Sequence, residues 1–428
     1  MIYAFLIYFL LFFYLAYKNF KLSLGLIIIL LPTYLLRVEY WLLTSTILEL
    51  SLGAVFLIWV LKYLKKDWKE LVLFYKGNKI FVWLCVVFFI SSVMGIFVSD
   101  EWYKSFGHWR AFFFEPMLFF IILIGRRKEL NNFSPEADQP LSENFLIKCL
   151  AWSSGLVSSV AVLQIFSKYF YPSKFLLSGL AGRATSFFTS PNAIGLYIVP
   201  TTILLIGFLY KEFKQKKQIN YFYLVIIILN CLALLLSFSQ GAWIALGVGI
   251  LALLYFWGYK KIVLIGIIFS ILLTIFITPI NQAVRFADKA GENRLVIWGY
   301  TVDYLLESPQ NFVLGTGIRQ WFRKIQKPYY DTKQLERLTF PHSIFLNFWT
   351  EIGLLGEFSF LGILAYLIYL LFGKIKEDKI TAGIFMSMIL AFVVHGLVDV
   401  PYFKNDLAIL TWVWIFMSLQ FLDDKLSS

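Results

Sequence analysis

Long apolar runs alternate with short polar breaks along almost the whole chain. The runs are roughly 18–22 residues long, enough for an α-helix to cross a bilayer. They predict helices near 2–17, 22–36, 43–62, 80–98, 111–125, 146–167, 188–210, 221–237, 241–257, 262–280, 348–373, 380–398 and 406–422. That is an all-α polytopic membrane protein with about 12–13 transmembrane helices. The runs are continuous rather than alternating, which excludes a β-barrel. One break stands apart from the others. Residues 281–341 form a long polar segment in which short helical stretches are expected.

Composition sharpens this picture. Of 428 residues, 60% are hydrophobic and 15% charged. No soluble domain, internal repeat or low-complexity tract interrupts the pattern, so residues 1–428 read as one membrane domain. Residues 131–143 read as a polar cytoplasmic loop. Met1–Tyr17 lacks a basic start and a small-residue cleavage site, which predicts a retained first helix. Cys85, Cys149 and Cys231 lie in or beside apolar runs without metal or disulfide spacing, as buried free thiols do.

The net charge is +12. Its distribution points to membrane topology rather than to nucleic acid, because the cations crowd into alternate loops. Dense loops carry Lys62–Lys76, Arg126–Lys128, Lys211–Lys217, Lys260–Lys261 and Lys374–Lys379. Sparse ones lie around 99–109, 168–183, 238–240 and 399–406. The alternation puts the dense loops in the cytoplasm and the segment 281–341 outside.

The outer face then gathers the residues able to carry chemistry. Glu115 precedes Pro116 inside a span, where a carboxylate is costly unless it faces protein or water. Arg183 stands before Pro191 and Asn192, which are expected to interrupt the next helix and open a cavity. A guanidinium there suits a phosphate; a snorkelling interfacial arginine is the plainer reading. Ser239-Gln240-Gly241 makes a tight polar turn. Asn293 is the expected N-cap of a helix that would present Arg294 at its positive end, as anion sites do. Gly315-Thr316-Gly317 reads as a turn, since no strand precedes it. His342 stands where the polar segment meets the membrane and can accept a proton near neutral pH. Glu351 follows in the next helix. His395 and Asp399, four residues apart, read as a buried structural pair. No cluster of Asp, Glu or His has metal-ligand spacing.

Taken together, these motifs resemble the O-antigen ligase / O-antigen polymerase family of bacterial membrane glycosyltransferases. The resemblance spans roughly residues 150–415. It rests on Arg183 with Ser190-Pro191-Asn192, Ser239-Gln240-Gly241-Ala242-Trp243, Asn293-Arg294 with Trp298, and Ser308-Pro309 with Gly315-Thr316-Gly317. Pro341-His342-Ser343, Glu351-Ile352-Gly353 and His395-Gly396-Leu397-Val398-Asp399 complete it. It implies a glycosyltransferase-C-like architecture in the bacterial cytoplasmic membrane, with the active site on the extracytoplasmic face. The implied donor is an undecaprenyl-diphosphate-linked glycan, and the acceptor another glycan or a lipid A core. The implied mechanism is inverting and free of metal and cofactor, with His342 as base and Arg183 and Arg294 on the diphosphate. The family pattern has arginine where Gln240 stands, which leaves Arg285 or Arg319 as candidate replacements. Asn192, Gln240, Arg285, Arg319, Glu115 and Glu351 are the possible site-lining residues. Two other readings remain: a lipid-linked-oligosaccharide transporter of the flippase kind, and a ligase acting on protein. A flippase calls for cations through the bilayer midplane, whereas here they gather on one face.

Overall fold

The computed structural model describes residues 2–40, 43–130, 144–166, 182–329 and 337–422. The expected loop 131–143 lies outside the described residues, as does most of 168–183. Among the described residues, eight helices are long and apolar enough to span a membrane. Four more are apolar but shorter, and Lys260–Phe276 joins the following helix at a sharp bend. One short antiparallel hairpin pairs Arg37–Tyr40 with Leu43–Thr46. The helical membrane architecture expected from the hydrophobic pattern is therefore present.

Two boundaries differ from the pattern. The run 22–36 is not one span: helix Phe20–Ile29 ends and Pro32 opens a 3₁₀ turn, Leu31–Leu35. Proline lacks the amide that would extend the helix. The run 43–62 instead continues through a π turn at Trp59–Tyr63 to Gly77, so Lys62–Lys76 sit on a helix rather than a loop. Asp67 explains the continuation. It is buried there, accepting from Trp59 Nε1 at 2.9 Å and Arg126 Nη1 at 3.2 Å.

The most buried spans, which build the centre, are Pro191–Lys216, Asn405–Leu422 and Lys379–Gly396, with Gln240–Phe256 packed on one side of Lys379–Gly396. Polar side chains join neighbouring helices where lipid offers no competing partner. Asn230 donates to Thr202 Oγ1 at 3.0 Å and accepts from Ser158 Oγ at 2.6 Å. An aromatic layer supports one end of the bundle. Phe348 lies 4.3 Å from Phe360 and 4.7 Å from Phe403, centroid to centroid, and Tyr402 donates to Phe112 O at 2.8 Å. At the other end Lys211 pairs with Asp378 at 2.6 Å. The dense-cation loops 211–217 and 374–379 thus lie at the end opposite the 183–192 and 395–405 loops.

Helix Ile344–Lys374 is broken at Gly353, whose φ of 75° is a left-handed value that favours glycine. The turn Gly315-Thr316-Gly317 docks into that break. Thr316 N donates to Thr350 O at 2.7 Å, and a Cβ on Gly315 would lie 2.4 Å from two backbone oxygens. The Gly-x-Gly motif is thus a packing device that ties the polar segment to the membrane helices.

Candidate functional site

Four segments far apart in sequence meet at one end of the bundle. The connection begins at Arg183. Its Nε donates to Ser237 O at 2.8 Å, and one terminal nitrogen donates to Asn192 Oδ1 and Phe238 O, both at 3.2 Å. Ser237 and Phe238 close a helix whose last carbonyls have no helical partner. Arg183 therefore caps that helix, which leaves its other terminal nitrogen without a hydrogen bond among the described residues.

Asn192 passes the connection on. Its amide donates to Asp399 Oδ2 at 3.3 Å, while Asp399 Oδ1 faces His342 Nδ1 at 3.3 Å. The Val400 amide also donates to Asp399 Oδ1, at 2.9 Å. Burial alone would raise the Asp399 carboxyl. The hydrogen bond and charge of His342, with the charge of His395 and the Val400 amide, outweigh it and hold Asp399 well below the usual carboxylate range. An ionised Asp399 accepts the hydrogen on His342 Nδ1, which leaves Nε2 as the nitrogen with the free lone pair.

The backbone at His342 has φ of 50°. Histidine enters this region more readily than branched residues, but the conformation still costs about 1–2 kcal/mol. Tertiary contacts hold it. Trp298 Nε1 donates to Pro341 O at 2.8 Å, and Phe340 packs on Phe403 at 5.8 Å. Trp298 lies one helical turn beyond Arg294, so the two share a face of helix Lys289–Leu306. Arg294 is half-buried and within electrostatic range of His395. It has no hydrogen bond or ion pair among the described residues.

Three expectations are corrected. Pro191 does not interrupt its helix; it is the first helical residue, where its missing amide costs nothing. Asn293 is not an N-cap. Asp288 caps the helix through Gly291 N at 2.9 Å, so Arg294 lies more than a turn inside and not at the positive end. Asp399 does not hydrogen-bond the side chain of His395, which lies against Gly195 and Gly241. Its carboxylate goes to His342, Asn192 and Val400.

The other candidates make contacts of their own. Glu115 pairs with Arg110 Nε at 3.1 Å, and Arg110 holds Glu49 at 2.6 Å. Glu351 is buried, accepting from the Arg319 amide at 3.0 Å, while Arg319 itself is exposed. Arg285 is exposed at the end of helix Thr278–Val284. Gln240 is exposed at the start of its helix beside the site, since Phe238 two residues earlier accepts from Arg183 and Gly241 lies against His395.

Lys404 was not legible as a site residue. Its half-buried ammonium lies 5.7 Å over the Phe188 ring, in the loop that carries Arg183. Burial pulls it below its ordinary value, and Asp406 and Asp399 oppose that pull. The nearest sequence signal was a lysine in a loop otherwise poor in cations.

Fold and site define a multi-pass helical membrane protein with a His–Asp pair and three cations gathered at one end of the bundle. Residues 224–361 match the family model described as O-antigen ligase, so over this segment the chain is similar to that family. The family implies glycosyl transfer of the ligase or polymerase type. The matched segment contains Gln240, Arg294 and His342; Arg183, Asn192, Asp399 and Lys404 lie outside it. No curated protein matches the chain.

Proposed function

We propose that this protein transfers a glycan from an undecaprenyl-diphosphate carrier to a hydroxyl acceptor, another glycan or a lipid A core, on the extracytoplasmic side of the cytoplasmic membrane. The observation that carries the reading is the His342–Asp399–Asn192–Arg183 connection, with Arg294 and Lys404 beside it. In this reading His342 Nε2 takes the proton from the attacking hydroxyl, and ionised Asp399 holds the ring and stabilises the imidazolium. The acceptor oxygen forms its bond to the anomeric carbon as the bond to the diphosphate breaks.

Negative charge grows on the departing diphosphate, so cations beside it stabilise the transition state more than the ground state. Arg294 is the least committed of them. Arg183 offers one nitrogen and spends the others on the 237–238 turn. Lys404 supplies a third cation, since its Phe188 and Asp399 neighbours belong to the site. Charge arithmetic supports this assignment. Three cations outnumber the acidic side chains beside them, which leaves a positive surplus suited to an anionic diphosphate diester.

The test is reconstitution in liposomes with a synthetic polyprenyl-diphosphate oligosaccharide and a glycan acceptor. Wild-type protein should form the glycosidic product, and His342→Ala should insert, bind donor and lose most turnover. Full turnover in His342→Ala, or no product from any polyprenyl-diphosphate donor, would overturn the reading.

A further inference from the structure

Helix Lys289–Leu306 carries a second feature beyond Arg294. Tyr300, Asp303 and Tyr304, followed by Glu307 at the helix end, are spaced by three or four residues and share one face. With Lys324 and Tyr329 they line a groove of about 390 Å³. Tyr300 and Tyr329 stack with centroids 3.8 Å apart and planes 3° from parallel. None of these residues belongs to the His342 site.

The charges of the groove are unequally committed. Lys324 is tied down, pairing with Asp100 at 3.3 Å and donating to Thr316 O at 3.0 Å. Asp303 and Glu307 are exposed and have no ion pair or hydrogen bond among the described residues. The open face is therefore aromatic, rich in acceptors and net negative. Such a face repels phosphate and nucleic acid. Two free carboxylates fall short of a metal site, and among the described residues no cluster of three or more metal-ligating side chains occurs. It does suit a ligand with many neutral O–H donors and flat apolar C–H faces: carboxylates accept from the hydroxyls while rings pack on the faces.

Position narrows the choice. At about 1.5 Å rise per residue, Tyr300 to Glu307 lie roughly 9–20 Å along the helix from Arg294. The groove also lies about a quarter to a half turn around the helix from Arg294, so a chain whose reducing end sits at the diphosphate would reach it by passing round the helix over several sugar units. We propose that the groove is a subsite for uncharged sugar units of the lipid-linked donor, several units from the bond that breaks. This rests on the transfer reading for its substrate but not for its geometry.

Two measurements on the full-length protein in nanodiscs separate the claims. The first is binding of a free neutral oligosaccharide, read by saturation-transfer NMR and calorimetry, against a uronic-acid-containing oligosaccharide. Wild type should favour the neutral ligand. Tyr304→Ala, and Asp303→Asn with Glu307→Gln, should each weaken it about tenfold, as loss of one or two hydrogen-bonded or packed contacts does. The double variant should also narrow the gap to the acidic ligand. Equal binding of both ligands by wild type, or unchanged binding in both variants, overturns the proposal. So does preference for a lysine-rich peptide at the same residues.

The second is steady-state transfer with polyprenyl-diphosphate donors carrying one sugar or several. The variants should raise KM for the longer donor more than for the shorter one. An equal rise for both donors indicates a structural role and overturns the subsite. A rise in acceptor KM instead of donor KM overturns the assignment to the donor. If wild type binds the neutral oligosaccharide at the groove yet uses no lipid-linked donor, the transfer reading fails and the sugar subsite stands.

Discussion

Replacing Asp399 by asparagine tests how the His–Asp pair works. The side chain keeps its shape and loses its charge, so His342 loses the anion that fixes its ring and stabilises the imidazolium. The atoms are 3.3 Å apart. Two unit charges at that distance attract by about 1 kcal/mol in water and about 5 kcal/mol at an effective dielectric near 20. The His342 side chain is 29% exposed and that of Asp399 7%, which places the pair between these limits. A loss of about 2–3 kcal/mol corresponds to a drop in kcat of about 30–150-fold. The assay is single-turnover transfer from a saturating polyprenyl-diphosphate donor for wild type, Asp399→Asn, His342→Gln and the double variant. Once His342 is gone, Asp399→Asn should cost little more, because the two act as a unit. Asn192→Ala controls for loosening of the loop and should lower kcat less than Asp399→Asn. An unchanged kcat in Asp399→Asn would refute the reasoning. So would a full additional loss in the double variant, which would make Asp399 a structural anchor independent of the histidine.

The three cations should separate by their commitments: Arg294→Ala and Lys404→Met should raise donor KM and lower turnover with normal thermal stability, while Arg183→Lys should also lower the melting temperature because it uncaps the 237–238 turn. Normal turnover in Arg294→Ala would show that this arginine does not meet the diphosphate. On topology, a cysteine at position 327 should react with an impermeant maleimide in intact cells and one at position 214 should not; the reverse would invert the site's sidedness. Transfer should persist in excess EDTA, since the proposed chemistry uses arginine, lysine and histidine; loss of activity restored by magnesium or manganese would defeat it.

Apolar runs of bilayer length, continuous rather than alternating, determined the helical membrane class by themselves. A span in lipid must satisfy its own backbone, and that demand is written locally. The long polar segment, the Gly-x-Gly turn and the sequence motifs of the family were legible for the same reason: each depends on residues close together in the chain. Helix ends were legible only where one capping signal stood alone. Asn293 was a reasonable N-cap until Asp288, five residues earlier, took the first turn. The wiring of the site was decided by tertiary structure. Four residues on one helix made His395 the obvious partner of Asp399, yet the carboxylate turns to His342 and Asn192, 57 and 207 residues away. Spacing along a helix sets which side chains share a face, but not which group from another segment lies within hydrogen-bond distance. Lys404 entered the site for the same reason, because the 183–190 loop packs Phe188 beneath its ammonium and no pattern in one dimension encodes that approach.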